Sequence, residues 1–410
     1  MKTLNTLSLG AVLLAGSALS AMAQDGTELH FIMCGGEVRP ADQVVIDQFI
    51  ADHPGVTVNM EAVEWGTCQD KSMQLAAAGD PPSLAYMGSR VLRQLSDNGL
   101  IVPITFTPEE EAAFQPGVLS TVSYGGNYWG IPHAFSTKAL YINCGLVEQA
   151  GLECTAPATW EDMIAMARAV TENTDAAGIG IAGKDFDNTM HMFLDFLYSN
   201  GGQVYDENDA PALDSQQTRE TLQLYADLLP YMEDGPIEWE RDQLRDLFND
   251  GQIAMYVNGP WGRGQHNADI NQLVVPVPHG PSGPSGTILI TDSLAVFSGT
   301  GHEDLAMELA KALTSGAAQY DLDSTWGLTP ILDYEAIGAE ALGVDKIWYV
   351  DDPFWQVFVD GISTGGPEPL VQNFKDLQNV FTNMVQGVLL GEGTVDELVT
   401  TAGQELAEVE

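Results

Sequence analysis

Four short segments of this chain collect the residue types that bind polyhydroxylated molecules: Cys34-Gly35-Gly36-Glu37, Glu64-Trp65-Gly66-Thr67, Gly88-Ser89-Arg90 and Asn258-Gly259-Pro260-Trp261-Gly262. Small residues let backbone N–H groups approach a ligand. Hydroxyls and carboxylates hydrogen-bond sugar hydroxyls, and an indole offers a flat apolar face to the C–H side of a pyranose. Trp65, Trp261, Trp326 and Trp355 are the candidate stacking surfaces. One tryptophan alone is more often a core or rim residue, but several in loops that follow strands favour a carbohydrate cleft. Arg90 is one of only 15 basic residues. It reads either as half of an ion pair with one of 58 acidic residues or, with Ser89 and neighbouring N–H groups, as a fork for a sulfonate, phosphate or carboxylate.

Catalytic patterns are missing. No nucleophile elbow, zinc-protease helix, P-loop or dinucleotide fingerprint occurs. Carboxylates are abundant, yet nothing selects two of them, so a glycan-active hydrolase is the rival reading. The histidines are scattered without i, i+4 pairs, and His133 reads as an internally hydrogen-bonded structural residue. Asp206-Glu207-Asn208-Asp209 lacks the glycine and distal glutamate of a calcium loop and reads as a solvated turn. No metal site and no cofactor are expected. Cys34, Cys68, Cys144 and Cys154 read as disulfides rather than zinc ligands, because no C-x-x-C or Cys/His cluster is present. Of three possible connectivities, 34–68 with 144–154 is the economical one.

The elements that must hold these segments alternate. Apolar strands are expected at 29–33, 56–64 and 83–87, with helices at 41–52, 69–78 and 90–98, which predicts a parallel sheet with crossover helices. His53-Pro54-Gly55 and Asp80-Pro81-Pro82 punctuate the helix ends. A hairpin near 125–130 and a strand at 139–143 lead toward a second α/β unit, with helices at 159–171, 188–199, 215–228 and 241–250 and a strand at 253–257. After the Pro/Gly-rich connector 276–286, a strand at 287–297 returns to the first unit. Helices are expected at 303–314, 317–324, 353–361, 370–390 and 394–408.

A formal charge of −43 argues against nucleic acid or anionic lipid as a partner. At 410 residues with 45% apolar composition the chain suits two cores. Residues 1–23 read as a signal peptide, with Lys2, an apolar run and Ala21-Met22-Ala23 before the cleavage point. No later run is long enough to span a bilayer, so a periplasmic location is expected.

The strings Phe49-Ile50-Ala51-Asp52-His53-Pro54-Gly55-Val56, Ala76-Ala77-Ala78-Gly79-Asp80-Pro81-Pro82, Ala139-Leu140-Tyr141-Ile142-Asn143 and Met255-Tyr256-Val257-Asn258-Gly259-Pro260-Trp261, in this order, resemble the maltose-binding-like family of extracellular solute-binding proteins. Tyr86-Met87-Gly88-Ser89-Arg90, Phe186-Asp187-Asn188-Thr189-Met190-His191 and Gly365-Gly366-Pro367-Glu368-Pro369 are similar to the sulfoquinovosyl-glycerol-binding proteins. The resemblance implies an α/β, two-lobed periplasmic-binding-protein fold with a ligand cleft, hinge-crossing strands, closure on the ligand and delivery to the permease subunits of an ABC importer. It implies lobes at 24–133 with 287–333 and at 134–286 with 334–410, a monomer, and no catalysis. The expected ligand is an anionic sugar glycoside, with a neutral oligosaccharide or a glycerophosphodiester as alternatives. Trp261 and Trp326 would stack on it, with Trp65 a further contact. Glu37, Thr67, Ser89, Ser136, Asp187, Asn188, Asn258, Asp292 and Glu368 would hydrogen-bond to it. Gly36, Gly66, Gly262, Gly365 and Gly366 would offer backbone, and Arg90 would take the anion.

Overall fold

The computed structural model describes residues 26–409, so the signal-peptide reading of 1–23 lies outside the described residues. The chain opens with β1 (Thr27–Cys34), α1 (Pro40–Asp52), β2 (Val56–Val63), α2 (Trp65–Ala77) and β3 (Leu84–Gly88). β1 lies between β2 and β3 and pairs with both in parallel. Covered on both faces, it is a nearly unbroken apolar run, and Leu29, Phe31, Ile32 and Met33 are fully buried. Pro40 fits the first turn of α1, where its missing N–H has no partner to lose. Gly55, at φ +94°, reverses the chain into β2.

A small hairpin of β4 (Ser123–Tyr124) and β5 (Asn127–Tyr128) precedes β6 (Ile131–Ser136) and β7 (Ala139–Asn143). Further on come β8 (Met255–Asn258), β9 (Gln272–Val275), β10 (Ile288–Val296) and β11 (Gly366–Pro367). The first sheet has the order β11-β10-β3-β1-β2, with β6 on β10; the second has the order β8-β7-β9. β10 runs antiparallel to β3 and β6, so the chain does return to the first sheet after the Pro/Gly-rich connector. Only Thr137 and Lys138 separate β6 in the first sheet from β7 in the second. The other crossing lies beside it, since the Thr287 hydroxyl accepts from the Lys138 N–H at 2.8 Å and donates to Asp195 Oδ1 at 2.9 Å.

The lobe limit expected at 133/134 falls inside β6, whose pairing with β10 continues to Ser136. The limit expected at 333/334 falls inside an apolar cluster that joins Tyr334, Tyr349 and Trp355 to Phe135, Leu289 and Tyr320. Trp355, 8% exposed in that cluster, is a core residue and not a stacking surface. Both disulfides have the economical connectivity: Cys34–Cys68 ties the end of β1 to α2, and Cys144–Cys154 closes a ten-residue separation.

Candidate functional site

The single turn Ser89–Val91 that leaves β3 carries Arg90 inward, where it is 6% exposed. Gly88 makes room for it, because a Cβ there would stand 2.3 Å from the guanidinium. Arg90 Nη2 is 2.9 Å from Asp187 Oδ2, and Nη1 is 3.6 Å from both Asp292 Oδ1 and Glu368 Oε2. These carboxylates come from different places. Asp292 sits at the irregularity where β10 slips against β6, which re-aims its side chain, and Tyr86 donates to its Oδ2 at 3.3 Å. Asp187 begins the helix Asp187–Tyr198, and Glu368 follows β11 and pairs through Oε1 with His191 of that helix. Ser89 Oγ lies 3.0 Å from Ser293 Oγ.

Burial alone would lower the Arg90 pKa, but Asp187, Glu368 and Asp292 outweigh it and hold the guanidinium charged. Burial likewise pushes Glu368 up, and Arg90 with His191 reverse this, so it stays ionised. Asp292 is pushed up by burial, with the Glu368 charge adding to the effect. The positive charge expected to receive an anion is therefore already matched by three carboxylates.

A second group surrounds Trp261. Lys138 Nζ donates to Ser136 Oγ at 2.6 Å and stands 4.6 Å from the indole centroid, and the Arg241 guanidinium stands 4.9 Å from it. The turn is rigid: Asn258 Oδ1 accepts from the Gly259 N–H at 2.8 Å, Asn258 Nδ2 donates to Tyr256 at 2.7 Å, and Tyr141 donates to the Gly259 carbonyl at 2.8 Å. The Asn258 amide is thus engaged internally and orients Trp261 instead of presenting itself to a ligand. Gly262 is buried where a Cβ would meet Tyr141 at 2.9 Å, so its role is also to shape the turn.

Trp326 closes a third wall, with Arg39 at 3.4 Å from its ring centroid and Tyr86 on the same guanidinium at 4.8 Å. Trp65, 39% exposed, packs edge-on against Tyr86 with centroids 5.4 Å apart. Gly36, Glu37, Gly66 and Thr67 are exposed at the rim, outside the buried cluster. Asn188 is half-buried beside Asp187. Gly365 and Gly366 are places of close packing, where a Cβ would meet Leu289 and Tyr198. The Gly366 N–H is already donated to the Thr287 carbonyl at 2.9 Å, which leaves no donor for a ligand. His133 is fully buried 3.1 Å from Asp42, but neither ring nitrogen has a hydrogen-bond partner of good geometry, so the internal hydrogen bonding expected of it is not seen; Asp206 Oδ1 accepts two backbone N–H bonds within its turn, in line with the reading of that segment as a turn.

Arg39, Tyr86, Lys138, His191 and Arg241 escaped sequence reasoning. The signal that could have found the cations is their scarcity, since four of the 15 basic residues meet in this region. Surface concavities lined by Gln94, Gln372 and Glu408, and by Val350, Pro353 and Asp360, lie elsewhere.

The family model described as bacterial extracellular solute-binding protein matches residues 35–320. A Brucella abortus protein described only as a binding protein is 24% identical over 404 residues, covering 96% of each chain. Among solved structures, an ABC transporter solute-binding protein from Thermotoga lettingae bound with alpha-D-tagatose superposes with a TM-score of 0.79 at 24% identity, covering 93% of this chain and 99% of that one. Maltose-bound MalE3 of T. maritima superposes with a TM-score of 0.78 at 20% identity, covering 93% and 99%. The α/β architecture with two sheets and crossing strands is the two-lobed fold of these proteins.

Proposed function

For a chain that belongs to the bacterial extracellular solute-binding protein family, we propose the work of a periplasmic receptor that closes over a carbohydrate-type solute and hands it to the permease subunits of an ABC importer. It is a binding protein and not an enzyme. The observation that carries the reading is the Arg90–Asp187 pair, which joins the turn after β3 to the start of the helix Asp187–Tyr198 at 2.9 Å, amid the candidate polar and aromatic residues. A ligand that contacts both lobes shifts the population toward a closed state by its difference in affinity for the two states. The indoles of Trp261, Trp326 and Trp65 supply stacking faces, with Ser89, Ser136, Asn188, Asp187, Asp292 and Glu368 around them for hydroxyls. No helix among the described residues is long and apolar enough to cross a membrane.

The finer reading is an anionic sugar glycoside such as sulfoquinovosyl glycerol, supported by the gathering of scarce cations about Trp261 and Trp326. The lobes are residues 24–133 with 287–333 and 134–286 with 334–410, apart from the strand and cluster that cross those limits, and the receptor acts as a monomer. A neutral oligosaccharide is the second reading, favoured by the three carboxylates that already match Arg90. A thermal-shift screen against neutral disaccharides, uronates, glycerophosphodiesters and sulfoquinovose glycosides separates them, because a ligand of the folded state raises its melting temperature. A shift confined to the sulfonated glycosides supports the finer reading. A shift confined to neutral sugars replaces it with the second.

A further inference from the structure

Lys138 is the anomaly of this chain. It lies at the crossing between β6 and β7, 5% exposed, and its ammonium has one hydrogen-bond partner, Ser136 Oγ. Among the described residues it forms no ion pair within 4.0 Å, in a protein with 58 acidic side chains. A buried charge without an ionic partner is costly and rare. The charged groups that act on it are Arg241, which repels it, and Asp195, Asp292 and Glu368, which attract it without pairing with it. None of these acids is at liberty to move in. Asp195 Oδ1 accepts from the Thr287 hydroxyl and the Ile288 N–H, both at 2.9 Å, while Asp292 and Glu368 face Arg90.

Arg241 meets Lys138 over a shared surface. Both cations stand over the Trp261 indole, at 4.9 and 4.6 Å from its centroid. Arg241 Nε is buried with no hydrogen-bond partner, and the one carboxylate paired with Arg241, Asp242 at 3.2 Å, is 57% exposed on the outer side. Two cations that repel each other, with donors unused and a hydroxyl beside them, lack an anion.

We propose that Lys138, Arg241 and Ser136, set around Trp261, form the subsite for the anionic group of the ligand, a sulfonate, carboxylate or phosphate on a glycoside. This rests on the carbohydrate reading above and moves the anion from Arg90, whose charge is matched, to cations that are not. Trp261 then packs the sugar ring that carries the anion. Because Lys138 lies between the two sheets and its N–H is held by Thr287 of the other crossing, an anion seated there bears directly on the hinge. Burial and Arg241 lower the Lys138 pKa to about 7, so an arriving anion draws a proton onto the amine from the buffer.

The test is titration calorimetry of the purified protein with sulfoquinovosyl glycerol, methyl glucuronide and neutral glucosylglycerol, in two buffers of different protonation enthalpy slightly above neutral pH. Wild type is expected to take up a fraction of a proton with the two acidic probes and none with the neutral one. Lys138→Met is expected to abolish that uptake and, like Arg241→Gln, to weaken the acidic probes at least about tenfold more than the neutral one. The wild-type uptake stands as a readout even where a variant does not fold. Tight binding of an acidic probe with no proton uptake, and with both variants unaffected, overturns the subsite while leaving the receptor for anionic sugars intact. Binding of glucosylglycerol alone overturns the anionic reading and the subsite together.

Discussion

Arg90 Nη2 and Asp187 Oδ2 stand 2.9 Å apart, although one follows β3 and the other starts the helix Asp187–Tyr198, nearly a hundred residues further along the chain. With Glu368 on the same guanidinium at 3.6 Å, the pair is an electrostatic latch between segments far apart in the chain.

Removing only the cation is expected to be worse than removing the pair. Arg90→Met leaves Asp187, Asp292 and Glu368 facing one another in a buried site, and loss of one partner of a buried pair costs about 3–5 kcal/mol. Arg90→Met combined with Asp187→Asn is expected to recover part of that loss. Chemical denaturation of the three proteins measures it, and a double variant less stable than Arg90→Met contradicts the latch.

Lys138 sets a pH dependence. Its folded-state pKa of about 7 lies below the ordinary lysine value of 10.5, so the folded protein binds fewer protons than the unfolded chain between these values. Stability from this residue therefore rises as pH climbs from about 7 toward 10.5 and is lowest below about 7. Lys138→Met is expected to melt higher than wild type near neutrality, with a gap that narrows as the solution becomes alkaline. A gap independent of pH contradicts this.

Trp355, buried in the core, and Trp261, half-buried beside the cations, should separate packing from binding. Trp355→Ala, in the core, is expected to cost about 3–5 kcal/mol of stability. Trp261→Ala is expected to cost little stability but to weaken the sugar at least about tenfold, through loss of a stacking face. Equal effects of both on affinity at matched stability contradict the assignment.

The Cys34–Cys68 bond closes a separation of 34 residues and anchors the first loop to α2. Replacing both cysteines by serine is expected to cost about 2–4 kcal/mol, seen in denaturant titrations under oxidising conditions. A variant as stable as wild type shows that the loop is held by its other contacts.

Much of the fold was readable because its punctuation is local. The buried run of β1, Pro40 and the His53-Pro54-Gly55 break place the first strands and helix within a residue or two. β9 was missed because Gln272–Val275 is a short, half-buried strand without alternation, and β6 because Pro132 and His133 interrupt its apolar pattern. The site was legible in parts only. Arg90, Asp187, Asp292 and Glu368 were singled out, but no spacing along the chain says that they meet. Lys138, Arg39 and Arg241 carry no motif, and it is tertiary packing that brings them over indoles.

The measurement that tests the account most directly is equilibrium dialysis of the purified protein against a mixture of neutral and acidic glycosides, followed by mass analysis of what is retained. One-to-one, saturable retention of a sugar recovered chemically intact is expected. Retention of nothing, or recovery of cleaved product, contradicts a receptor that binds a sugar and leaves it unchanged.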